Sequence, residues 1–265
     1  VVGGVAFIKI STVFMGQYAF GDSIEWLWIT LGVLGINLLV AAGITSATVL
    51  TRQEKPGSVS RANGRPAAQS SGLHPQLTLF LISRWFMVTA VIVFQTYGLF
   101  FLRDKVGLET PVQALGNMVL VVGGAVAAGA YLAGWFSDRI GRKPVILAGA
   151  AGAALSTATI MLAGSTTEVL VIATFIGFSV GALLSSNWAL ANEMGTAGKE
   201  ALHMGVVNLA TIAGAASAKM LGPGVDLLNR ASPASGYSAL LIGCAVMFVL
   251  GGILLMPLKT NSDST

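Results

Sequence analysis

Residues 134–144 concentrate the charge in the second half of the sequence and lie between apolar stretches, 112–133 and 145–167, that contain no charged residue. The ionisable members of this 134–144 segment are Asp138, Arg139, Arg142 and Lys143. Such groups can form ion pairs with carboxylates or bind lipid phosphates. Charged groups are costly inside a bilayer, so we expect the segment to be the tip of a helical hairpin that reaches water.

A carboxylate that could pair with this segment is Glu193, which closes a later apolar run on the same expected side of the membrane. Glu200 lies further along the following loop. We expect an ion pair between Glu193 and either Arg139 or Arg142 that forms in one conformation only. The alternative is an exposed pair worth about 0–1 kcal/mol.

Three cations lie within apolar runs, where an ionisable side chain is a candidate for function. Arg84 falls ~10 Å into its run at the helical rise, so its side chain could also reach back to the interface. Lys219 lies among small residues. Its side chain could bind a solute or extend back to the membrane interface, and we weigh these two interpretations equally. Lys9 could line a cavity from the first run.

Uncharged polar residues in the runs offer hydrogen bonds and stacking faces to a polar solute. The preferred cavity candidates are Gln95, Tyr97, Asn187 and Trp188, and Asn208 is added to them. For any one of these residues, an interhelical hydrogen bond worth ~0.6 kcal/mol is the competing interpretation.

The sequence shows no catalytic or cofactor-binding pattern. His74 and His203 have no second histidine or cysteine at ligand spacing, and the single cysteine, Cys244, lies in an apolar run. The stretch 195–199 has the wrong spacing for a phosphate-binding loop. The sequence therefore predicts no enzyme activity, no catalytic residue, no metal site and no cofactor.

Composition defines the class of protein. The chain has 265 residues, of which 54% are hydrophobic and 10% charged, against roughly a quarter charged in soluble domains. Its 33 glycines suit helices that approach closely in lipid. Apolar runs long enough to cross ~30 Å of hydrocarbon predict eight membrane spans. They are Val1–Phe20, Trp26–Leu50, Leu77–Leu102, Val112–Phe136, Val145–Ala163, Val169–Asn192, Met204–Leu228 and Tyr237–Met256.

Residues 51–76, rich in Ser, Gly, Pro, Arg and Gln, are predicted to be a solvated linker between the second and third spans. If the linker is cytoplasmic, nine loop cations lie inside and three outside, the direction expected from the positive-inside bias. This bias explains the net charge of +4 better than nucleic-acid binding does. The sequence opens within an apolar run, and we interpret it as a fragment.

The pattern Gly-x-x-x-Asp-Arg-x-Gly-Arg-Lys in the 134–144 segment resembles the signature loop of the major facilitator superfamily, the twelve-helix secondary transporters. Its fixed positions are Gly134, Asp138, Arg139, Gly141, Arg142 and Lys143. The resemblance implies an all-α transmembrane bundle. Residues 1–50 would be the last two helices of the N-terminal half, residues 51–76 the central linker and residues 77–265 the C-terminal half.

The resemblance also implies a role for the segment as a conformational gate that locks helix eight against helix eleven, the alternative being a turn that only fixes topology. It implies alternating-access transport of a small solute across the cytoplasmic membrane, and leaves open whether a proton or another ion drives it. Expected partners are the solute, a coupling ion and membrane lipids, with no nucleic acid. A receptor or assembly factor of the same fold that moves no solute is the alternative.

Overall fold

The computed structural model describes residues 75–104, 111–195, 200–232 and 234–258, together with scattered positions between 25 and 43, which are helical. The chain divides into two units at residues 73 and 74. Most of the first two predicted spans and of the predicted linker lie outside the described residues, so the proposed division into halves stays a prediction.

The second unit is built from seven α-helices in its described part. They are α1 (Pro75–Asp104), α2 (Pro111–Ile140), α3 (Arg142–Thr159), α4 (Thr166–Glu193), α5 (Glu200–Met220), α6 (Gly222–Ala231) and α7 (Ser235–Leu255). A short 3₁₀ turn, Ile160–Leu162, extends α3. Six segments of the described chain are long and apolar enough to cross a membrane, with α5 and α6 forming one of them. The six spans predicted after residue 76 are thereby confirmed.

Successive spans run in opposite directions, so the helix ends collect on two sides. The hairpin side is defined by the junction of α2 and α3, where Lys143 Nζ donates to the carbonyl of Leu258, just beyond α7. On the opposite side, the hydroxyl of Tyr237 at the start of α7 donates to Asp104 at the end of α1, 2.6 Å away. α4 also begins there, where Ser165 accepts a hydrogen bond from the backbone N–H of Glu168 and caps the helix.

Small residues allow the helices to approach closely. α4 packs most extensively against α2 and α3, while α1 packs against α5 and α7. An ideal Cβ on Gly181 of α4 would lie 2.1 Å from the carbonyl oxygen of Val126 in α2, and one on Gly129 would lie 2.1 Å from that of Phe178. The backbones therefore meet in a way that only glycine permits, as expected for helices that pack in lipid. Outward-facing side chains such as Tyr131, Leu162 and Met220 are large and exposed.

The seventh predicted span, Met204–Leu228, is made of two helices. Helix α5 ends at Met220 and α6 begins at Gly222. Pro223 explains the break, because it has no N–H to donate to the carbonyl of Lys219 four residues earlier. The hydroxyl of Tyr97 in α1 lies 3.3 Å from the carbonyl of Ala218 and 3.4 Å from that of Lys219, and so replaces the missing donor.

Candidate functional site

The 134–144 segment contains the junction between α2 and α3. Residues as far as Ile140 belong to α2, and Arg142 already begins α3, so Gly141 alone connects the two helices. Its φ of 87° and ψ of 161° lie in a region that essentially only glycine adopts. Pro144 fits the first turn of α3, where backbone N–H groups have no intrahelical acceptor. The glycine of the motif thus turns the chain within a single residue.

The cations of the segment reach different partners. Arg142 Nε lies 2.5 Å from Glu193 Oε1 at the end of α4, and both side chains are partly exposed. The guanidinium of Arg139 lies 3.8 Å from the centre of the Trp135 ring, one turn earlier in α2. Of the two arginines that the sequence offered to Glu193, the structure therefore pairs Arg142. With Lys143 bound to the end of α7, the segment connects α3 to both α4 and α7 on the hairpin side.

The remaining motif residues are Asp138, which is exposed, and Gly134, whose added Cβ would meet no atom within 4 Å. The expected lock between the eighth and eleventh helices would join α2 to the α5–α6 span. The contacts described above run instead to α4 and α7, so that lock stays a prediction.

A buried link between α2 and α4 lies next to the gate candidates. The hydroxyls of Ser137, inside the 134–144 segment, and Ser186 are 3.1 Å apart and both residues are buried. Nearby, the imidazole Nε2 of His203 in α5 lies 2.7 Å from the carbonyl of Ala191 in α4. Sequence reasoning missed both contacts, because a serine or a histidine near a span end carries no signal that names its partner.

Arg84 is the largest fully buried side chain of the described residues, with 1% of its surface exposed. Its Nε donates to Thr211 Oγ1 of α5 at 3.0 Å, and its Nη1 donates to Asn187 Oδ1 of α4. The Trp188 ring covers the guanidinium, whose central carbon lies 4.0 Å from the ring centre. We call Arg84, Asn187, Trp188 and Thr211 the Arg84 cluster. It joins three helices inside the bundle.

These contacts show that the Arg84 side chain stays inside the bundle. An arginine at the centre of a membrane helix costs about 2.5–3.5 kcal/mol in insertion experiments. Two hydrogen bonds to a charged group contribute ~1.5–3 kcal/mol each, and a desolvated cation–π contact adds ~2 kcal/mol. The cluster can therefore hold the cation inside the bundle, and the side chain does not reach back to the interface.

The other cavity candidates do not join this cluster. Gln95, Asn208 and Lys219 are exposed, while Tyr97 is engaged at the break between α5 and α6. Lys9 lies outside the described residues. Thr211 is the cluster member that the preferred set lacked, and it accepts a hydrogen bond from Arg84. Asn208, one turn earlier in α5, is exposed.

The architecture is that of a polytopic α-helical membrane protein, with six candidate spans in its described part. The family model of the Major Facilitator Superfamily matches residues 105–264, which is 160 of 265 residues and more than half of the chain. The chain belongs to the Major Facilitator Superfamily, whose members transport small solutes across membranes. No curated protein matches the sequence.

Proposed function

We propose that the protein moves a small polar solute across the cytoplasmic membrane by alternating access. The Arg84 cluster is the observation that carries this proposal, because a buried cation with polar partners inside a membrane bundle marks a solute or ion pathway more often than a structural site. Family membership supplies the transport activity, and the cluster supplies a place where a solute could be bound.

The 134–144 segment is the proposed conformational gate, with Gly134, Asp138, Arg139, Gly141, Arg142, Lys143 and Glu193 as its residues. The Arg142–Glu193 pair supports this role, because it joins two helix ends at the water interface and can break at low cost. Opening the hairpin side would require α3 and α4 to separate there. The positive-inside bias supports a cytoplasmic position for this side.

The substrate cavity is proposed to include Arg84, Asn187 and Trp188, which the structure brings together, and the exposed residues Gln95, Asn208 and Lys219. Tyr97 and Lys9 complete the candidate set. Coupling to a proton or another ion gradient is part of the proposal. The acidic residues Asp104, Asp138, Glu168, Glu193 and Asp226 are all exposed, so none of these five is nominated as the coupling group.

Vesicles that carry the full-length protein provide the test. They would be screened with radiolabelled carboxylates, sugars and amines, with and without an imposed proton gradient. Saturable accumulation that empty vesicles lack is expected, and a gradient-driven increase would establish coupling. Solute binding without movement in either direction would favour a receptor of the same fold and overturn the transport proposal.

A further inference from the structure

We propose that the Arg84 cluster is the subsite that receives an oxyanion of the transported solute, such as a carboxylate, phosphate or sulfate group. This inference rests on the proposed function, because it names the chemical class of the solute for that same site. Within the cluster, both the charge and the number of hydrogen-bond donors are out of balance.

The charge of Arg84 is balanced by neutral groups only. Its partners are an amide oxygen, a hydroxyl oxygen and an indole ring. Within the described ranges of the chain, no carboxylate lies at ion-pair distance from its guanidinium. A buried cation is normally paired with an opposite charge, since neutral partners replace only part of its hydration. The cluster therefore has an unmet preference for an anion.

The donors of the cluster outnumber its acceptors. Asn187 turns its Oδ1 toward Arg84, which leaves its Nδ2 buried without a hydrogen-bond partner among the described residues. Reversing the amide would point an N–H at a cation, so this orientation is fixed by Arg84. The Thr211 hydroxyl donates to the carbonyl of Val207 and therefore acts only as an acceptor toward Arg84. The group still missing is an acceptor.

An oxyanion meets both needs. It carries the opposite charge, and its several lone pairs can accept from the guanidinium and from the Asn187 amide at once. Asn187 is 1% exposed, so the unpartnered N–H cannot be satisfied by open solvent. A hydroxyl or amide on a neutral solute could accept from Asn187 but would leave the charge of Arg84 unbalanced.

Trp188 marks the route of entry. Its ring covers the guanidinium on one face, and the residue is 39% exposed. A rotation of this side chain would remove its contact with the guanidinium, and the hydrogen bonds of Arg84 to Asn187 and Thr211 do not involve it. Lys219, another cation among the cavity candidates, is exposed and lies near the break between α5 and α6. Arg84 is thus the better-built anion site.

Binding is measured first on the purified full-length protein. Acetate, inorganic phosphate and sulfate are titrated at constant ionic strength, with acetamide as the neutral counterpart of acetate, and the tryptophan fluorescence is recorded. Subtracting the signal of Trp188→Phe isolates the ring that lies over Arg84. At least one anion is expected to change the Trp188 signal saturably, and acetamide is not. The identity of that anion distinguishes carboxylate from phosphate and sulfate solutes.

Two matched variants assign the effect to Arg84. Arg84→Gln is expected to weaken the binding of that anion about tenfold or more, since hydrogen bonds to a charged group are lost. Arg103→Gln removes an exposed arginine at the far end of the same helix and is expected to leave the binding of the anion unchanged. Arg84→Lys keeps the charge without the planar fork and should fall between them. Should Arg84→Gln fail to fold, Asn187→Leu replaces it as the variant that removes the unpartnered N–H.

The outcomes separate the two proposals. A Trp188 signal that ignores every anion, or that responds equally in the variant and in Arg103→Gln, overturns the oxyanion subsite. If the protein transports a neutral solute and Arg84→Gln leaves that transport unchanged, the oxyanion subsite is also overturned, but the transport function stands. Anion binding that requires Arg84, without movement of any anion into sealed vesicles, retains the subsite and overturns transport.

Discussion

Arg142, the first residue of α3, and Glu193, the last residue of α4, place Nε and Oε1 2.5 Å apart at the hairpin side of the bundle. In the proposed gating role, a change of access would separate the two helix ends that this contact joins. Because 28% of the arginine side chain and 43% of the glutamate side chain are exposed, water competes for both groups. Breaking the pair therefore costs only about 0–1 kcal/mol.

Glu193→Gln is expected to shift the balance between inward-open and outward-open forms without unfolding the protein. An exposed ion pair contributes about 0–1 kcal/mol, which corresponds to a shift of up to about fivefold in the equilibrium. The measurement is the labelling rate of a cysteine introduced at the hairpin side, together with the initial rate of transport.

The exchanged pair Arg142→Glu with Glu193→Arg is the control for this prediction. It restores opposite charges and is expected to recover part of the shift, as a double-mutant cycle would reveal. A Glu193→Gln protein with normal transport and normal labelling would contradict the gating role.

Gly141→Ala is expected to destabilise the hairpin. Any side chain at the φ and ψ of Gly141 costs of order 1–3 kcal/mol in backbone strain. Gly134→Ala is the matched change in the same motif, because its helical backbone has open space around it and alanine favours a helix by about 0.5–1 kcal/mol. Thermal unfolding in detergent should show a lower Tm for the first variant and an unchanged or higher Tm for the second. Equal Tm values would disprove the assigned turn.

Gly181→Ala tests the close approach of α2 and α4. Its new methyl group would lie 2.1 Å from the carbonyl of Val126, so the helices must move apart, and overpacking of this kind costs about 1–3 kcal/mol. Gly124→Ala adds the same methyl group to α2 at a position with no atom within 4 Å. A fall in Tm is expected for Gly181→Ala only. A similar fall in both would mean that the glycines matter for another reason.

The fold was predictable from sequence where a strong physical constraint acts on one segment at a time. Hydrocarbon thickness requires long uncharged runs, so the six spans of the described part could be read directly, and the 134–144 pattern indicated the family. Exact helix ends were not predictable, because charged residues such as Asp138 and Arg139 extend a helix into water without changing the apolar pattern. The break before Gly222 follows from Pro223, but the sequence does not show that the hydroxyl of Tyr97 lies at the carbonyls of Ala218 and Lys219 there.

The candidate site was predictable only in part, since its contacts depend on how several helices meet. Sequence reasoning could name Glu193 and offer it two arginines, but only the turn at Gly141 shows that Arg142 points toward α4. Arg84 was ambiguous for a similar reason. Its acceptors, Asn187 and Thr211, are 103 and 127 positions away, and no spacing rule connects them.

The contact between Tyr237 and Asp104, on the side of the bundle opposite the hairpin side, leads to a prediction on pH. A hydrogen bond from Arg103, followed by one from Tyr237, lowers the pKa of Asp104 below its ordinary value of 3.8. Because the pKa in the folded state is depressed, the charged carboxylate stabilises the protein above that ordinary value, and this contribution is lost as the pH falls through the lowered pKa. Asp104→Asn should therefore lower the Tm at about pH 7, and the difference from wild type should shrink below about pH 4.

Tyr237→Phe removes the weaker of the two hydrogen-bond effects on Asp104 and should give a smaller change in Tm. A difference between wild type and Asp104→Asn that stays constant across this range would mean that the carboxylate does not stabilise the end of α1 through its charge.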